Sequence, residues 1–265
     1  SYAMQYLDEG NLEEVLKAAD RVKRINSKSS RAELFEAMVF HNRGVGARGD
    51  TRNSNLEQAY EKYNLALGDQ TDDLPERSKP DALRNLSSVQ FLLGRDDPKK
   101  TFEAAIEIAR DKAPYIGSYL NYLCSQEDYE AARSYLAKLA EGAEFEDEQF
   151  LRNVIEYNTN ADADKPALIQ SMFELGQSEG NNRRMECLVF AVQWSTQSQL
   201  VDTAINSLES SKDSTDALVF HTCLTWLKLE KGEKQKAKAE ALVAQAIVTD
   251  GSDAQVVSLL GRLLM

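Results

Sequence analysis

Two histidines stand in 265 residues, at positions 41 and 221, beside three cysteines, five prolines and 13 glycines. Each scarcity excludes something. His41 and His221 lie far apart, and no Cys-x2-Cys or His-Glu-x2-His occurs, so the chain spells out no zinc site. Cys124, Cys187 and Cys223 are odd in number and fall in apolar helical patterns. They read as small buried residues in a reducing compartment, not as a disulfide framework. No apolar run approaches the roughly 18 residues of a membrane-spanning helix. The opening Ser1-Tyr2-Ala3-Met4 lacks the basic-then-apolar form of a secretory leader. A cytoplasmic protein is the expectation. Gly-x4-Gly-Lys-Ser/Thr is absent; Gly44, Gly46 and Gly49 have the composition of a glycine-rich loop, but follow no strand pattern. Carboxylates abound without a convergent partner. The chain is therefore expected to be no enzyme, with no catalytic residue, cofactor or metal.

Positive charge is also short. The net charge of −12 argues against nucleic acid as the main partner, because phosphate binding needs a basic surface. The deficit is uneven: between Lys17 and Arg52 nine Lys/Arg face four acids, whereas Glu141 to Glu148 is densely acidic. The basic stretch reads either as solvated helix faces or as a docking end for an acidic partner or a preceding domain. Arg48-Gly49-Asp50 matches a cell-attachment tripeptide, but three residues recur by chance. The acids at Asp69, Asp72, Asp73 and Glu76 lack the glycine and terminal Glu of a calcium loop.

What the chain has is helix. Ala, Leu, Glu, Lys, Gln and Arg dominate, and no strand-type alternation appears. Ala59, Tyr63 and Ala66 place small, large and small apolar groups at i, i+4 and i+7 on one face. The same face recurs as Val15-Ala19-Val22, Phe102-Ile106-Ala109, Ala132-Leu136-Leu139, Leu168-Met172-Leu175, Val201-Ile205-Leu208 and Ala237-Ala241-Ala244. The last four spacings cluster near the ~34-residue period of helix–turn–helix arrays. A second apolar helix precedes most triplets, so each unit reads as an antiparallel pair. Pro80 and Pro98 sit at helix starts, and Asp162 to Asp164 and Asp213-Ser214-Thr215 offer caps.

These residues resemble the tetratricopeptide repeat (TPR) family. Its second-helix pattern, A-x3-F-x2-A with a following proline, is similar to Ala59/Tyr63/Ala66, to Ala109 with Pro114, to Gln126 through Ala132, and to Gly232-Glu233 with Ala237. Its first-helix Leu-Gly is present at Leu260-Gly261; elsewhere the first helices depart from the pattern and lack its Trp. The resemblance implies an all-α, right-handed superhelix of about six to seven antiparallel pairs. It would form a single domain over 1–265, with irregular insertions near 44–54 and 68–79. Residues 1 to 9 read as the tail of a helix, and Asp253–Met265 as a first helix without a mate. Both suggest a fragment truncated from a longer array.

The resemblance also implies a concave groove lined by first helices. Carrying the register over places Phe91, Asn121, Tyr157, Phe190 and Trp226 at one repeat position, with Trp194 and Asn153 nearby. A one-residue shift would turn the same rings into core. Lys/Arg are missing from the positions of the family's carboxylate clamp, so chaperone-tail binding is not expected. The function expected is a protein-interaction scaffold that holds a peptide or protein segment in the groove. The alternative is a regulatory or sensor module fused to an enzymatic or DNA-binding domain. Self-association through Asp253–Met265 is a further expectation, and no membrane partner is expected.

Overall fold

A computed structural model describes residues 10–68, 73–95, 97–139, 143–178, 183–210, 216–249 and 254–265, with 181, 212 and 252. Residues 1 to 9, the acids at 69, 72 and 141, the caps at 213 to 215, and Asp253 lie outside the described residues. Among the described residues every regular element is a helix. In chain order they are α1 (Leu12–Ile25), α2 (Ser30–Gly46), α3 (Gly49–Leu67), α4 (Lys79–Leu93), α5 (Pro98–Ile108), α6 (Ala113–Ser125), α7 (Tyr129–Leu136), α8 (Glu148–Thr159), α9 (Lys165–Gln177), α10 (Arg184–Gln197), α11 (Val201–Ser210), α12 (Ala217–Glu230), α13 (Lys234–Ile247) and α14 (Ala254–Leu263). A 3-10 turn, Glu76–Ser78, precedes α4.

The starts of these helices follow local chemistry. Asn11, Ser29, Asp97, Asp164 and Asp216 each accept a backbone N–H of the first turn, at 3.0 to 3.4 Å. Such a bond satisfies one of the donors that a helix start leaves without an intrahelical partner. Pro80, Pro98 and Pro166 occupy first-turn positions where a missing N–H costs nothing.

The turns within pairs repeat one geometry. After α4, α6, α10 and α12 a residue takes positive φ: Gly94 (63°), Glu127 (57°), Gln199 (58°) and Gly232 (79°). The next N–H then reaches back five residues: Arg95 to the Gln90 carbonyl (2.9 Å), Asp128 to Leu123 (2.9 Å), Leu200 to Ser195 (2.7 Å) and Glu233 to Lys228 (2.9 Å). The positive-φ residue itself donates to a carbonyl three back in all four. This is the Schellman arrangement, which closes a helix and aims the chain into its partner. Two of the four lack the glycine that the conformation favours, so the repeat is plainer in backbone geometry than in sequence.

The chain divides into two compact units, residues 1–122 with 135–146, and 123–134 with 147–265. In the first, α2 packs most extensively on α3, and α1·α2, α3·α4 and α4·α5 follow. Its larger core gathers Leu34, Leu56, Tyr63, Leu74, Leu86 and Val89 around Ala37, Ala59, Ala66 and Ala82. Val15, Ala19, Ala32, Phe35 and Val39 form a second cluster beneath α1. Lys23 and Lys62 each bridge Glu33 and Glu36 at 2.6 to 2.8 Å, tying α1 and α3 to α2. In the second unit α9·α10 and α12·α13 are the most extensive contacts, joined by α8·α9, α10·α11 and α11·α12. Alternate helices also touch, α10·α12 and α12·α14 among them.

The triplets mostly point inward. Ala59, Tyr63 and Ala66 are buried, as are Phe102, Ile106 and Ala109, and Ala237, Ala241 and Ala244. In α9 the buried face is instead Ile169, Met172, Phe173 and Gly176, one step round from Leu168-Met172-Leu175. Gly176 sets that rotation: a Cβ there would lie 2.5 Å from Leu188 Cδ2. Residues 44–54, expected as an irregular insertion, are helical except for Ala47-Arg48. Gly44 allows this by letting Leu56 approach, where a Cβ would stand 2.7 Å from Leu56 Cδ2. The described part of 68–79 is irregular apart from the 3-10 turn and the start of α4.

Replacing Glu127 or Gln199 by Gly removes the cost of left-handed backbone at a residue with a Cβ, about 1 kcal/mol. Each variant should therefore be more stable by that order in urea unfolding. Gly94→Ala should be less stable by a similar amount.

Candidate functional site

The seven residues expected to bind a partner fall in both units. In the first, Phe91 is 40% exposed on α4 and meets Tyr122 edge-on at 5.3 Å. Asn121, on α6, is exposed. In the second, Trp226 on α12 is half-buried and donates its indole N–H to Glu230 at 3.0 Å.

The remaining four belong to one neighbourhood of the second unit. Phe150 of α8 meets Phe190 of α10 at 5.8 Å, Phe190 meets Trp194 at 5.4 Å, and Trp194 stacks on Tyr157 of α8 at 4.1 Å, with planes 3° apart. Positions 190 and 194 are one turn apart on α10, so both rings face α8. The Tyr157 hydroxyl lies 2.8 Å from Ser198 Oγ and donates to the Trp194 carbonyl at 3.4 Å. Lys165 stands 5.4 Å from the centre of the Tyr157 ring, and Arg183 stands 4.8 Å from that of Phe150. Trp194 is buried, and so is Asn153, which donates to Ser171 at 2.9 Å and accepts from Gln149 at 2.9 Å. These two brace the surface from beneath, one helical turn from Tyr157 and Phe190. Tyr157 and Phe190 keep part of their surface outside.

Phe190 also opens onto a groove of about 450 Å³ lined by Met185, Glu186 and Val189 of α10 and by Ala254, Gln255, Ser258 and Arg262 of α14. The groove, Phe150 and Arg262 were missed in the sequence. Met185/Val189 and Ala254/Ser258/Arg262 have the four-residue spacing of single helix faces, which is their one trace there. A second, more polar cavity of about 600 Å³ has Arg184, Asp216, Leu218, Ile247, Thr249 and Val256 among its lining residues. Arg184 already donates to the Gly176 carbonyl at 2.9 Å, and Asp216 caps α12.

The basic stretch of the first unit is partly spent within the fold. Lys17 pairs with Glu14 at 2.6 Å, Lys23 with Glu33 and Glu36, and Arg31 donates to the Asp73 carbonyl at 3.3 Å. Arg21, Arg24, Arg43 and Arg48 are exposed.

The groups with chemical potential are held by structural contacts. Burial raises the thiols of Cys124 and Cys223 to about 12 and that of Cys187 to about 11, far from the reactive thiolate range. His221 Nδ1 lies 2.7 Å from Glu240, which also takes Lys228 at 2.6 Å, so the three pin α12 to α13. Burial opposes ionisation of Glu240, but the bonds from Lys228 and His221 outweigh it and hold its carboxyl below the usual range. His41 meets Tyr63 edge-on at 6.1 Å, its Nδ1 3.5 Å from the phenol oxygen. Burial, aided by the nearby Arg84, holds His41 down at about 4. Among the described residues no three His, Cys, Asp or Glu side chains gather as metal ligands, and no helix is long and apolar enough to cross a membrane.

No family model matches the chain, and no curated protein is similar to it.

His41 gives a pH dependence whose sign is fixed. The unfolded chain takes up its proton near 6.5, whereas the folded chain resists until about 4. Its contribution is thus full above 6.5 and is lost as pH falls through that window, by about 3 kcal/mol in all. Urea midpoints measured from pH 7 to 4 should fall, and His41→Leu should flatten that fall.

Proposed function

We propose that this chain is a non-catalytic protein-interaction scaffold, a TPR-like right-handed superhelix whose first helices present a surface to a peptide or protein segment. The observation that carries the reading is Phe190. It is anchored on one side by Phe150 and Trp194 and open on the other to an apolar groove. A ring held in place by its neighbours loses little entropy on binding and offers a large apolar area, as interface hot spots do. Four recurring Schellman turns and the contacts between alternate helices support the repeat reading, since stacked helical hairpins touch in this order.

In this reading Trp194 and Asn153 position a surface of the second unit, Tyr157 and Phe190 contribute to it, and Phe91 and Asn121 belong to a surface of the first unit. The cysteines, His41 and His221 are structural. Residues 254–265 form a wall of the binding surface.

The test is affinity capture with the full chain as bait, quantified by mass spectrometry, with circular dichroism to confirm folding. Wild type should retain a stoichiometric protein partner, and Tyr157→Ala with Phe190→Ala should cut retention at least tenfold. Capture of no partner, or capture unchanged by the double substitution, contradicts the proposal.

A further inference from the structure

We propose that the groove between α10 and α14 docks a peptide segment with one or two apolar anchor side chains and an acidic residue beside them. The inference rests on the scaffold reading and gives the partner its chemistry.

The shape comes first. One wall is Met185, Val189 and Phe190; the other is Ala254, Ser258 and Arg262 on a single face of α14. Ala254 and Ser258 are short, and so leave the space between the walls open. Phe190 cannot fold into that space, because Phe150 and Trp194 hold its ring. About 450 Å³ remains, enough for two or three side chains. A cleft of this size with an apolar wall takes apolar groups, and its few polar atoms orient them.

The charges then choose the partner. Glu186 on the rim is engaged by Arg183 at 2.7 Å, and Arg183 is fixed by Asp147 and by the ring of Phe150. Across the groove Arg262 is exposed and forms no ion pair among the described residues. It is also the only charge between Ala254 and Leu263. The unmatched charge beside the apolar slot is therefore a guanidinium, whose planar fork suits a carboxylate with two parallel hydrogen bonds. An anchor in the slot would place a neighbouring Asp or Glu within its reach. A basic segment would meet Arg262 unfavourably and find Glu186 already occupied.

The partner class can be read with a display library of random dodecapeptides, panned against the full chain. Enriched peptides should share Leu, Ile, Met or Phe within a few positions of Asp or Glu. Against a synthetic copy, Val189→Asp and Arg262→Glu should each weaken binding at least tenfold, and Ile25→Ala, at a 90% exposed position of the first unit, should not. Arg262 is exposed, so its substitution leaves the fold intact and isolates the charge. Panning against Arg262→Glu should select Lys or Arg in place of the acid. Enriched peptides that bind both groove variants as tightly as wild type would overturn the groove and leave the scaffold reading standing. Enrichment of no peptide would contradict both. Concentration-dependent dimerisation abolished by Arg262→Glu would show that a second copy fills the groove, and would overturn a peptide occupant.

Discussion

Close approach of neighbouring helices is the constraint on which the structure depends. It is made possible by small residues at the seams. Ala59 and Ala66 flank Tyr63 in α3, Ala237, Ala241 and Ala244 line α13, and Gly44 and Gly176 admit Leu56 and Leu188 where a Cβ would collide. Each seam lets a large neighbour, such as Tyr63 or Leu188, be enclosed completely. Enclosing such a side chain contributes roughly 1.5–3 kcal/mol, and the term is available only if the backbones come near enough to exclude water. Because the seams join neighbours in sequence, the core is laid down hairpin by hairpin. Polar ties act at the same contacts: Lys23 and Lys62 clasp Glu33 and Glu36 between α1, α2 and α3, and Glu240 joins His221 and Lys228 between α12 and α13.

Much of this was legible in the sequence because small-large-small spacing is a direct image of packing. The helix order and most buried faces could be read from it. The junction near residue 48 could not, since its glycines resemble a loop in composition. Gly44 serves instead as a contact point inside α2, a role that depends on Leu56 from another helix. The turns were half hidden as well. Gly94 and Gly232 mark theirs, but Glu127 and Gln199 take the same left-handed backbone without the residue that would announce it.

The binding surface was less legible than the fold, for a physical reason. The residues expected at one repeat position, Phe91, Asn121, Tyr157, Phe190 and Trp226, all keep surface outside, whereas Trp194 and Asn153, expected beside them, are buried; burial depends on helix rotation, which the repeat spacing leaves open. Tyr157, Phe190 and Trp194 do come together, but Trp194 and Asn153 lie inside while Tyr157 and Phe190 reach the surface. Phe150 and Arg262 were invisible to a repeat register, because their significance comes from α8 and α14 meeting α10. Short-range spacing reports which residues share a helix face; it does not report what stands opposite.

If hairpin-by-hairpin packing is the basis of the molecule, damage to one seam should stay local. Hydrogen exchange followed by mass spectrometry, on the full chain carrying Ala241→Leu, tests this most directly. Ala241 is 1% exposed, so the larger side chain must force α12 and α13 apart. The account predicts faster exchange in α12, α13 and α14, with protection of α2, α3 and α4 unchanged. Protection lost evenly along the chain would contradict it.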